Sequence, residues 1–472
     1  MTDPVVEPLV SPTGPTGRVH LAFNQPSLTW APTWTRIDSY DSLVTSYTID
    51  RGRQYELDRT DVGRATVQIA DRQGILDPTN PSGPFYNHIQ PLIQALICRQ
   101  NPVTGSWYTR FRGFVETFDY SFDPSQKVNR LELSLVDLFE MLSAIQMWPD
   151  TFGFAPPDPD QGDQVYYPGS DDTGGPFGMD VRINQILDNA WPGGIRLDFA
   201  ANVFTGNVNV QRTYITPGDD VLTQIQEAAD AEFPFGVSNV YVDRQGRLNV
   251  HGRGAKFNPS AVLATPGAAN WDWHSFHAGD GAAVNTNPAL YAHIRRFGFD
   301  RGGAKVINVA AATPMRRDTP LNPTEMRNQI VKDTASIATY GIRSWSASDL
   351  LTYQGLPGPT TDLVETKKFA TYVVQNYAQP QNRVSEIGFR TIDPAASGAS
   401  ENWRLLSLVD ISDEVLVRIS SPGGGGFDDS VIGGKYYVEG VHEQVQPLVP
   451  GYDDVTLTLD LSPQAYFATA FP

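Results

Sequence analysis

Residues 46–60 read SYTIDRGRQYELDRT, and they are followed by GRATV at 63–67 and DRQGILDPTN at 71–80. Apolar and polar residues alternate here and turn-forming residues interrupt them, which predicts a β-hairpin. We expect Gly63 and Gly74 to supply the backbone geometry of turns. Asp77-Pro78-Thr79-Asn80 is expected to end a strand.

Short strands are predicted on both sides of this hairpin. They lie at residues 44–49, 65–69, 92–99, 107–118 and 128–135, separated by turns rich in Asp, Asn, Gly and Pro. Such a density of short strands is typical of a small β-barrel or β-sandwich.

The middle of the chain changes to helical periodicity. One amphipathic helix is predicted from residue 181 to the stop signal WPGG at 191–194, and a second begins after TPGDD at 216–220. A hairpin at 240–250 follows them. The pattern therefore predicts a small α+β unit.

The last part of the chain returns to alternation. Strands are predicted at 415–419, 435–444 and 454–461, after a helix at 361–377. The predicted fold class is mainly β with an α+β insertion, in which two small β-barrel or β-sandwich domains bracket an α+β unit. The predicted domains are an extended N-terminal arm at 1–36, a first β-barrel domain at 37–145, an acidic loop insertion at 146–180, the α+β domain at 181–255, a linker at 256–285, and a second β-barrel domain with a helical insertion at 286–472.

Charge and composition exclude several classes of protein. The net charge of -18 argues against sequence-specific nucleic-acid binding, because such proteins present basic patches, although DNA could slide past an acidic wall. The single cysteine, Cys98, excludes an intrachain disulfide and is expected to be a buried apolar residue. We expect no signal peptide and no membrane span.

The chain offers little for catalysis. It has no HExxH or GxSxG motif, and Tyr436 follows the GGK at 433–435 where a phosphate loop needs Ser or Thr. His274 and His277 are interpreted as structural residues. A carboxylate pair for glycoside hydrolysis and a calcium ion bound by Asp158, Asp160 and Asp163 stay open alternatives. We predict no enzyme activity, no catalytic residue, no metal and no cofactor.

The order of these motifs resembles that of minor tail proteins, the baseplate or tail-tip hub family of long-tailed actinobacteriophages. The resemblance covers about residues 37–463. It also includes the motifs FRGFVE at 111–116, DTASIATYG at 333–341 and YVEGV at 437–441. The residues that carry it are Arg53, Tyr55, Asp58, Gly63, Asp71, Gly74, Asp77, Pro78, Gly113, Trp191, Pro192, Tyr340, Gly341, Gly440, Ser462 and Pro463.

This resemblance implies a structural hub subunit of the tail tip of a siphophage virion, assembled in the host cytoplasm and involved in host attachment. The implied homotrimer of two hub domains per chain would form a ring around the DNA channel, through which DNA passes without specific binding. The implied partners are the chain itself, the distal tail protein, the tape-measure protein and other tail-tip or fibre proteins.

Three alternatives stay open. The first is the distal tail ring protein, expected as a hexamer. The second is a receptor- or glycan-binding tip module, for which exposed Trp30, Trp34, Trp271 and Trp273 would be the stacking residues. The third is a cell-wall hydrolase, for which the sequence shows no supporting set of residues.

Overall fold

The structure is a computed structural model of the chain. It describes residues 17–37, 42–71, 73–123, 128–147, 166–167, 169, 177–189, 201–206, 208–211, 213–214, 218–232, 239–252, 255, 271–280, 290–300, 305–314, 329–352, 364–380, 383–396, 398–419, 434–449 and 452–464.

The strands, in chain order, are β1 Gly17–Leu21, β2 Thr35–Arg36, β3 Ser42–Gly52, β4 Asp61–Asp71, β5 Gln94–Gln100, β6 Trp107–Asp123, β7 Val128–Val136, β8 Tyr166–Tyr167, β9 Ala201–Val203, β10 Thr213–Tyr214, β11 Asn239–Val242, β12 Leu248–His251, β13 Ser275–Gly279, β14 Ala292–His293, β15 Arg296–Asp300, β16 Val309–Pro314, β17 Gln329–Lys332, β18 Ser344–Leu350, β19 Arg383–Arg390, β20 Glu414–Arg418, β21 Gly434–Val449 and β22 Tyr452–Pro463. The helices are α1 Leu138–Ala144, α2 Met179–Asn189, α3 Val221–Asp230, α4 Thr334–Tyr340, α5 Val364–Tyr377 and α6 Ala399–Leu408.

A 14-stranded sheet organises the described residues. Its main path runs β14-β13-β20-β21-β3-β4-β7-β6-β5-β1-β2, and β22, β19 and β15 extend it from the other edge of β21. The strand β21 is therefore shared: one edge pairs with β20 and then β3, and the other pairs with β22 along most of its length.

The predicted class, mainly β with an α+β insertion, is confirmed. The two β units are not separate, however, because β21 joins them into one sheet, and the described strands do not close a barrel. The segment from β14 to β15 bends between two edges, pairing first with β13 and then with β19.

One hydrophobic core serves both β units. Ile49 and Phe111 of the N-terminal unit belong to the same buried cluster as Trp403 and Leu457 of the C-terminal unit. Strand β4 shows why, since its residues alternate between buried and exposed positions and so present one apolar face. Because both β units contribute to this one core, independent movement of either unit would expose apolar core residues to water.

The α+β insertion packs a second core. Helices α2 and α3 and the sheet β11-β12-β9 enclose it, and β12 and β9 run parallel. Asp220 caps α3 by accepting a hydrogen bond from the backbone N–H of Thr223 at 2.8 Å. A third small sheet, β17-β16-β18, lies under α5.

The structure shows the surroundings of Cys98 and Gly63, for which the sequence made predictions. Cys98 is buried beside Leu96 and Trp107, as predicted. Gly63 was expected in a turn, but it lies within β4, where its N–H donates to Asp137 Oδ2 at 2.8 Å. Within the described ranges no helix is long and apolar enough to cross a membrane.

Other expectations stay predictions. The residues Asp158, Asp160, Asp163, Trp191 and Pro192 lie outside the described residues. The domain boundaries and the membership of the family-like motif residues in a functional set are likewise untested and stay predictions.

Candidate functional site

The motif at 46–60 meets the C-terminal hairpin β21–β22 at a buried ion pair. Arg53 donates from Nε and Nη2 to Glu439 Oε2 at 2.8 and 2.6 Å. Ser462 Oγ donates a short hydrogen bond to the other oxygen, Glu439 Oε1. Both charged side chains are almost fully buried, so each neutralises a charge that water cannot reach.

Two glycines let the backbones approach closely at this pair. Gly52 has φ +98, and a Cβ there would overlap the carbonyl oxygen of Glu439. A Cβ at Gly440 would lie 2.8 Å from the carbonyl oxygen of Arg53. The pairing of β3 with β21 therefore requires glycine at both positions.

A second buried group links β21 to the strands on the far side of the N-terminal unit. Glu443 Oε1 lies 2.6 Å from Arg99 Nη1, and its Oε2 lies 3.0 Å from Arg110 Nη2. Burial alone would raise the pKa of Glu443, but the two guanidinium charges outweigh it and hold that pKa below its usual value. Burial lowers the pKa of Arg110 to about 10, although Glu443 opposes the shift.

A third ion pair joins all three units. Arg51 Nη1 lies 2.8 Å from Asp410 Oδ1, and the backbone N–H of Arg244, in the α+β insertion, donates to Asp410 Oδ2 at 2.7 Å. Next to it, Asp413 accepts from the backbone N–H of His274 at 2.7 Å. Burial raises the pKa of Asp413 to about 6, despite its contact with His274.

A fourth pair connects the loop after β3 to α5 and β19. Glu56 Oε1 accepts from Tyr377 Oη at 2.9 Å and from Arg383 Nη1 at 3.1 Å. Burial raises the pKa of Glu56 more than Arg383 lowers it. We call these four groups, centred on Glu439, Glu443, Asp410 and Glu56, the ionic junction.

A half-exposed histidine lies at the rim of this junction. His442 Nδ1 is 2.9 Å from Asp50 Oδ1, and Nε2 is 2.8 Å from Asp460 Oδ2. A carboxylate only accepts hydrogen bonds, so both ring nitrogens must donate and the ring must be an imidazolium. The hydrogen bonds to Asp460 and Asp50 raise the pKa of His442 to about 10.

The ionic junction can hold the units of the chain in one relative arrangement. Buried ion pairs add little net stability, because the desolvation of both ions offsets their attraction. Removing one partner is costly, so the pairs select the one arrangement of units in which every charge is matched. Within the part of the chain that the structure describes, no three His, Cys, Asp or Glu side chains are grouped as metal ligands.

The remaining predicted motif residues support the turns and packing around this site. Asp58 accepts from Arg53 Nη1 through its carbonyl oxygen at 3.0 Å, and the ring of Tyr55 packs edge-on against Tyr377. Asp71 accepts from the backbone N–H groups of Ile75 and Leu76. These contacts shape the loop that joins β3 to β4 and the loop that follows β4.

Four more motif positions are explained by turn geometry and close packing. Gly74 has φ +67, which is typical of a turn glycine. Asp77 accepts a hydrogen bond from the backbone N–H of Thr79 at 2.8 Å, and Pro78 lies between them in this loop. A Cβ on Gly113 would overlap the carbonyl oxygen of Val136.

The other motif residues lie at two separate places. Tyr340 is the last residue of α4, and Gly341 follows it with φ +72. Pro463 is the last residue of β22, opposite Tyr436. The structure therefore brings Arg53, Gly440 and Ser462 together around Glu439.

No motif in the sequence predicts the buried ion pairs of Glu439, Glu443, Asp410, Arg99 and Arg110. A signal was present for Glu443, because it occupies an inward position between Val441 and Val445 on an alternating strand. A charge at a core position needs a buried partner.

The tryptophans proposed for glycan stacking have a different environment from the one expected. Trp271 is 7% exposed, stacks edge-on against Phe204 and donates from Nε1 to Tyr241 Oη at 3.0 Å. The guanidinium of Arg112 covers Trp30 at 4.4 Å from the ring centre. The expectation of an exposed Trp271 is therefore wrong, and Trp30, Trp34 and Trp273 are half-buried.

Comparison with solved structures defines the fold further. The tail protein from Neisseria meningitidis MC58 is similar over 97% of this chain and 99% of its own, with a TM-score of 0.51 and 11% sequence identity. The 43 kDa tail protein of prophage MuSo2 from Shewanella oneidensis aligns over 95% of this chain and 99% of its own, at 9% identity and a TM-score of 0.49. Prophage tail protein gp18 from Listeria monocytogenes EGD-e aligns over 93% of this chain and 94% of its own, at 9% identity and a TM-score of 0.42.

The Neisseria comparison shows that this chain shares a fold with that tail protein over nearly all of both chains. No family model and no curated protein sequence matches the chain.

Proposed function

We propose that this chain is a structural hub subunit of a phage tail tip, which forms a ring around the DNA channel and connects the distal tail to tip or fibre proteins. The observation that carries the proposal is the whole-length fold similarity to the Neisseria tail protein, since nearly all of both chains takes part. The motif order that resembles the actinobacteriophage hub family supports the same assignment.

The ionic junction supports a structural role, in which the protein acts by holding its interfaces in a fixed geometry. A ring subunit must present its two interfaces at a fixed angle, because a heterologous contact closes into a ring only when its rotation is right. The shared strand β21 and the four buried charged groups fix the two β units relative to one another. In this role the protein needs no catalytic step and no cofactor.

The charge of the chain suits a channel through which DNA passes. A net charge of -18 repels phosphate, so DNA in the channel would meet a wall with little tendency to bind it. The partners proposed are other copies of this chain, the distal tail protein, the tape-measure protein and tip or fibre proteins.

The mass of the protein in solution tests the proposal. Light scattering would be recorded at several concentrations, alone and after mixing with the neighbouring tail proteins. A mass of three chains is expected for the hub. Six chains would instead identify the distal tail ring protein, and a monomer in every mixture would contradict the ring.

A further inference from the structure

The small sheet β17-β16-β18 has one covered face and one open face. Val331, Ala310 and Trp345 lie opposite one another across its three strands and pack in the core that α5 covers. Successive side chains of a strand point to opposite faces, so Ile330 and Lys332, on either side of Val331, belong to the other face. Both are exposed there.

The open face is apolar and basic. Ile330 is 54% exposed, and Ile342, which comes two residues before β18, is 72% exposed. Lys332 and Arg343 are also exposed. Val309 joins the two sides of this surface, because it pairs with Lys332 and donates from its N–H to the carbonyl oxygen of Arg343 at 3.1 Å. We call Ile330, Lys332, Ile342 and Arg343 the apolar-basic patch.

The backbone around this patch is held firmly. Asp333, the acidic residue beside it, caps α4 by accepting from the N–H of Ser336 at 2.9 Å. Asn308 donates to the carbonyl oxygen of Gly341 at 2.8 Å and accepts from the N–H of Arg343 at 2.8 Å. A surface fixed in this way loses little conformational entropy on binding, which favours association.

The chain that precedes β1 has a composition complementary to the patch. Residues 1–16 read MTDPVVEPLVSPTGPT, with two acidic side chains, Asp3 and Glu7, and no Lys or Arg. Valine and leucine residues flank Glu7 at positions 5, 6, 9 and 10. A carboxylate among aliphatic side chains matches a surface on which cations adjoin isoleucines. Prolines at 4, 8, 12 and 15 favour an extended chain, which can lie along a surface without forming a strand.

The positions of β1 and of the patch favour a contact between two copies. The chain enters β1 at Gly17, beside Asp453 near the tip of the hairpin β21–β22. The small sheet adjoins the other end of this hairpin, where Tyr437 belongs to its core and pairs with Ser462. Asp453 and Ser462 are nine positions apart on β22, or about 30 Å at a rise of about 3.3 Å per residue. The seven positions between Val10 and Gly17 span at most about 25 Å, which is too short to bring Val10 to the far end of its own hairpin.

We propose that residues 1–16 of one copy dock on the apolar-basic patch of a neighbouring copy. The aliphatic side chains of the segment pack along Ile330 and Ile342, and its two carboxylates lie at Lys332 and Arg343. The two surfaces are different, so the contact is heterologous and repeats around a ring. This inference rests on the proposed function and names a contact that ties one ring subunit to the next.

Disulfide crosslinking tests the contact in the full chain. Cys98 is buried, so cysteines introduced at the surface can be followed separately. Val6→Cys chains would be mixed with Ile342→Cys chains, alone and with the neighbouring tail proteins, and oxidised with diamide. Docking holds the two thiols at a high effective concentration, so the yield of linked dimer should exceed that of the control about tenfold or more. The control mixes Val6→Cys with Val103→Cys, since Val103 is 41% exposed in the turn after β5.

Charge exchange tests the pairing of the charged side chains. Asp3→Lys/Glu7→Lys in the Val6→Cys chain, or Lys332→Glu/Arg343→Glu in the Ile342→Cys chain, should each lower the crosslink yield about tenfold. Combining the two exchanged chains is expected to restore it to within about threefold of the original mixture. The substituted positions on the patch are at the surface, and far-UV circular dichroism would confirm that each variant is folded.

The outcomes distinguish the contact from the function. A chain that carries both Val6→Cys and Ile342→Cys should link to other chains, and a crosslink formed only within one chain would overturn the assignment to a neighbouring copy. A mass of three chains without the crosslink would refute the contact and leave the ring standing. Reduced yield without recovery in the exchanged mixture would refute the pairing of these charges. A monomer in every mixture, with no crosslink, would overturn both the contact and the ring.

Discussion

Arg53 and Glu439 are 386 positions apart in the chain, yet they form a buried ion pair in which Nη2 and Oε2 lie 2.6 Å apart. The pair exists only when β3 lies against β21 in the observed register. A slip of one residue would turn the side chains that follow the ladder to the opposite face, separate Arg53 from Glu439 and leave Glu439 buried without its cation. The ion pair thus selects the correct register of the two β units.

Removing one side of this pair should be costly. Arg53→Ala leaves Glu439 buried without its cation, and we expect the free energy of unfolding to fall by about 3–5 kcal/mol. Urea denaturation would measure it. The control is Arg64→Ala, since Arg64 and Glu116 form an exposed pair whose loss should change that free energy by no more than about 1 kcal/mol. Equal losses in the two variants would argue against the special role of the ionic junction.

Gly113 should tolerate no larger residue. The Cβ of Gly113→Ala would meet the backbone of Val136, which cannot move without disturbing the β6–β7 pairing. We expect a loss of about 3 kcal/mol in the free energy of unfolding. Gly434→Ala is the matched control, because the nearest atom to its Cβ is 3.6 Å away on the ring of Tyr436. A stable Gly113→Ala protein would contradict the close packing of these strands.

His442 should make the free energy of unfolding fall as the pH becomes alkaline. Its pKa is about 10 in the folded chain, above the roughly 6.5 expected when unfolded, so its contribution is complete below about pH 6.5 and is lost as pH rises through 10. The ring is half-exposed, and solvent screening limits the effect to about 1 kcal/mol. Comparing urea unfolding at pH 6 and pH 10 for the unmodified chain and His442→Gln would measure it. The variant should show a smaller difference, and the same difference in both proteins would exclude this role.

Trp271→Ala should destabilise the folded chain. It removes a buried ring from the cluster with Phe204, and we expect the free energy of unfolding to fall by about 3–5 kcal/mol. Trp273→Ala, which removes a half-buried ring, should cost less. If Trp271→Ala instead gave a protein of unchanged stability that had lost binding to a glycan, the glycan-binding alternative would gain support over the hub.

Local features of the fold could be predicted from the sequence, because they depend on neighbouring residues. The predicted start signal at 216–220 ends where α3 begins at Val221, and the predicted strand at 454–461 lies within β22. Gly63 shows the limit of such reasoning. A glycine is common in turns, but here it is needed because Asp137 approaches its backbone from a distant part of the chain.

The ionic junction could not be predicted in the same way. Alternation shows which face of β21 is buried, but it does not show that β3 lies on one edge and β22 on the other. Glu443 meets Arg99 only after that pairing is set, across 344 positions of sequence. The sequence therefore predicts the elements, and the partners of the buried charges follow only from the long-range topology.

The sharing of β21 has a mechanical consequence. Strand β3 is paired with β21 from Gly52 opposite Gly440 to Tyr47 opposite Val445. A force along the strand direction, pulling the N-terminal unit away from the C-terminal hairpin, would load all the hydrogen bonds of this ladder together. A force across the strands would open them one after another. The molecule should therefore resist sliding of its two halves along β21 far better than peeling at one end of it.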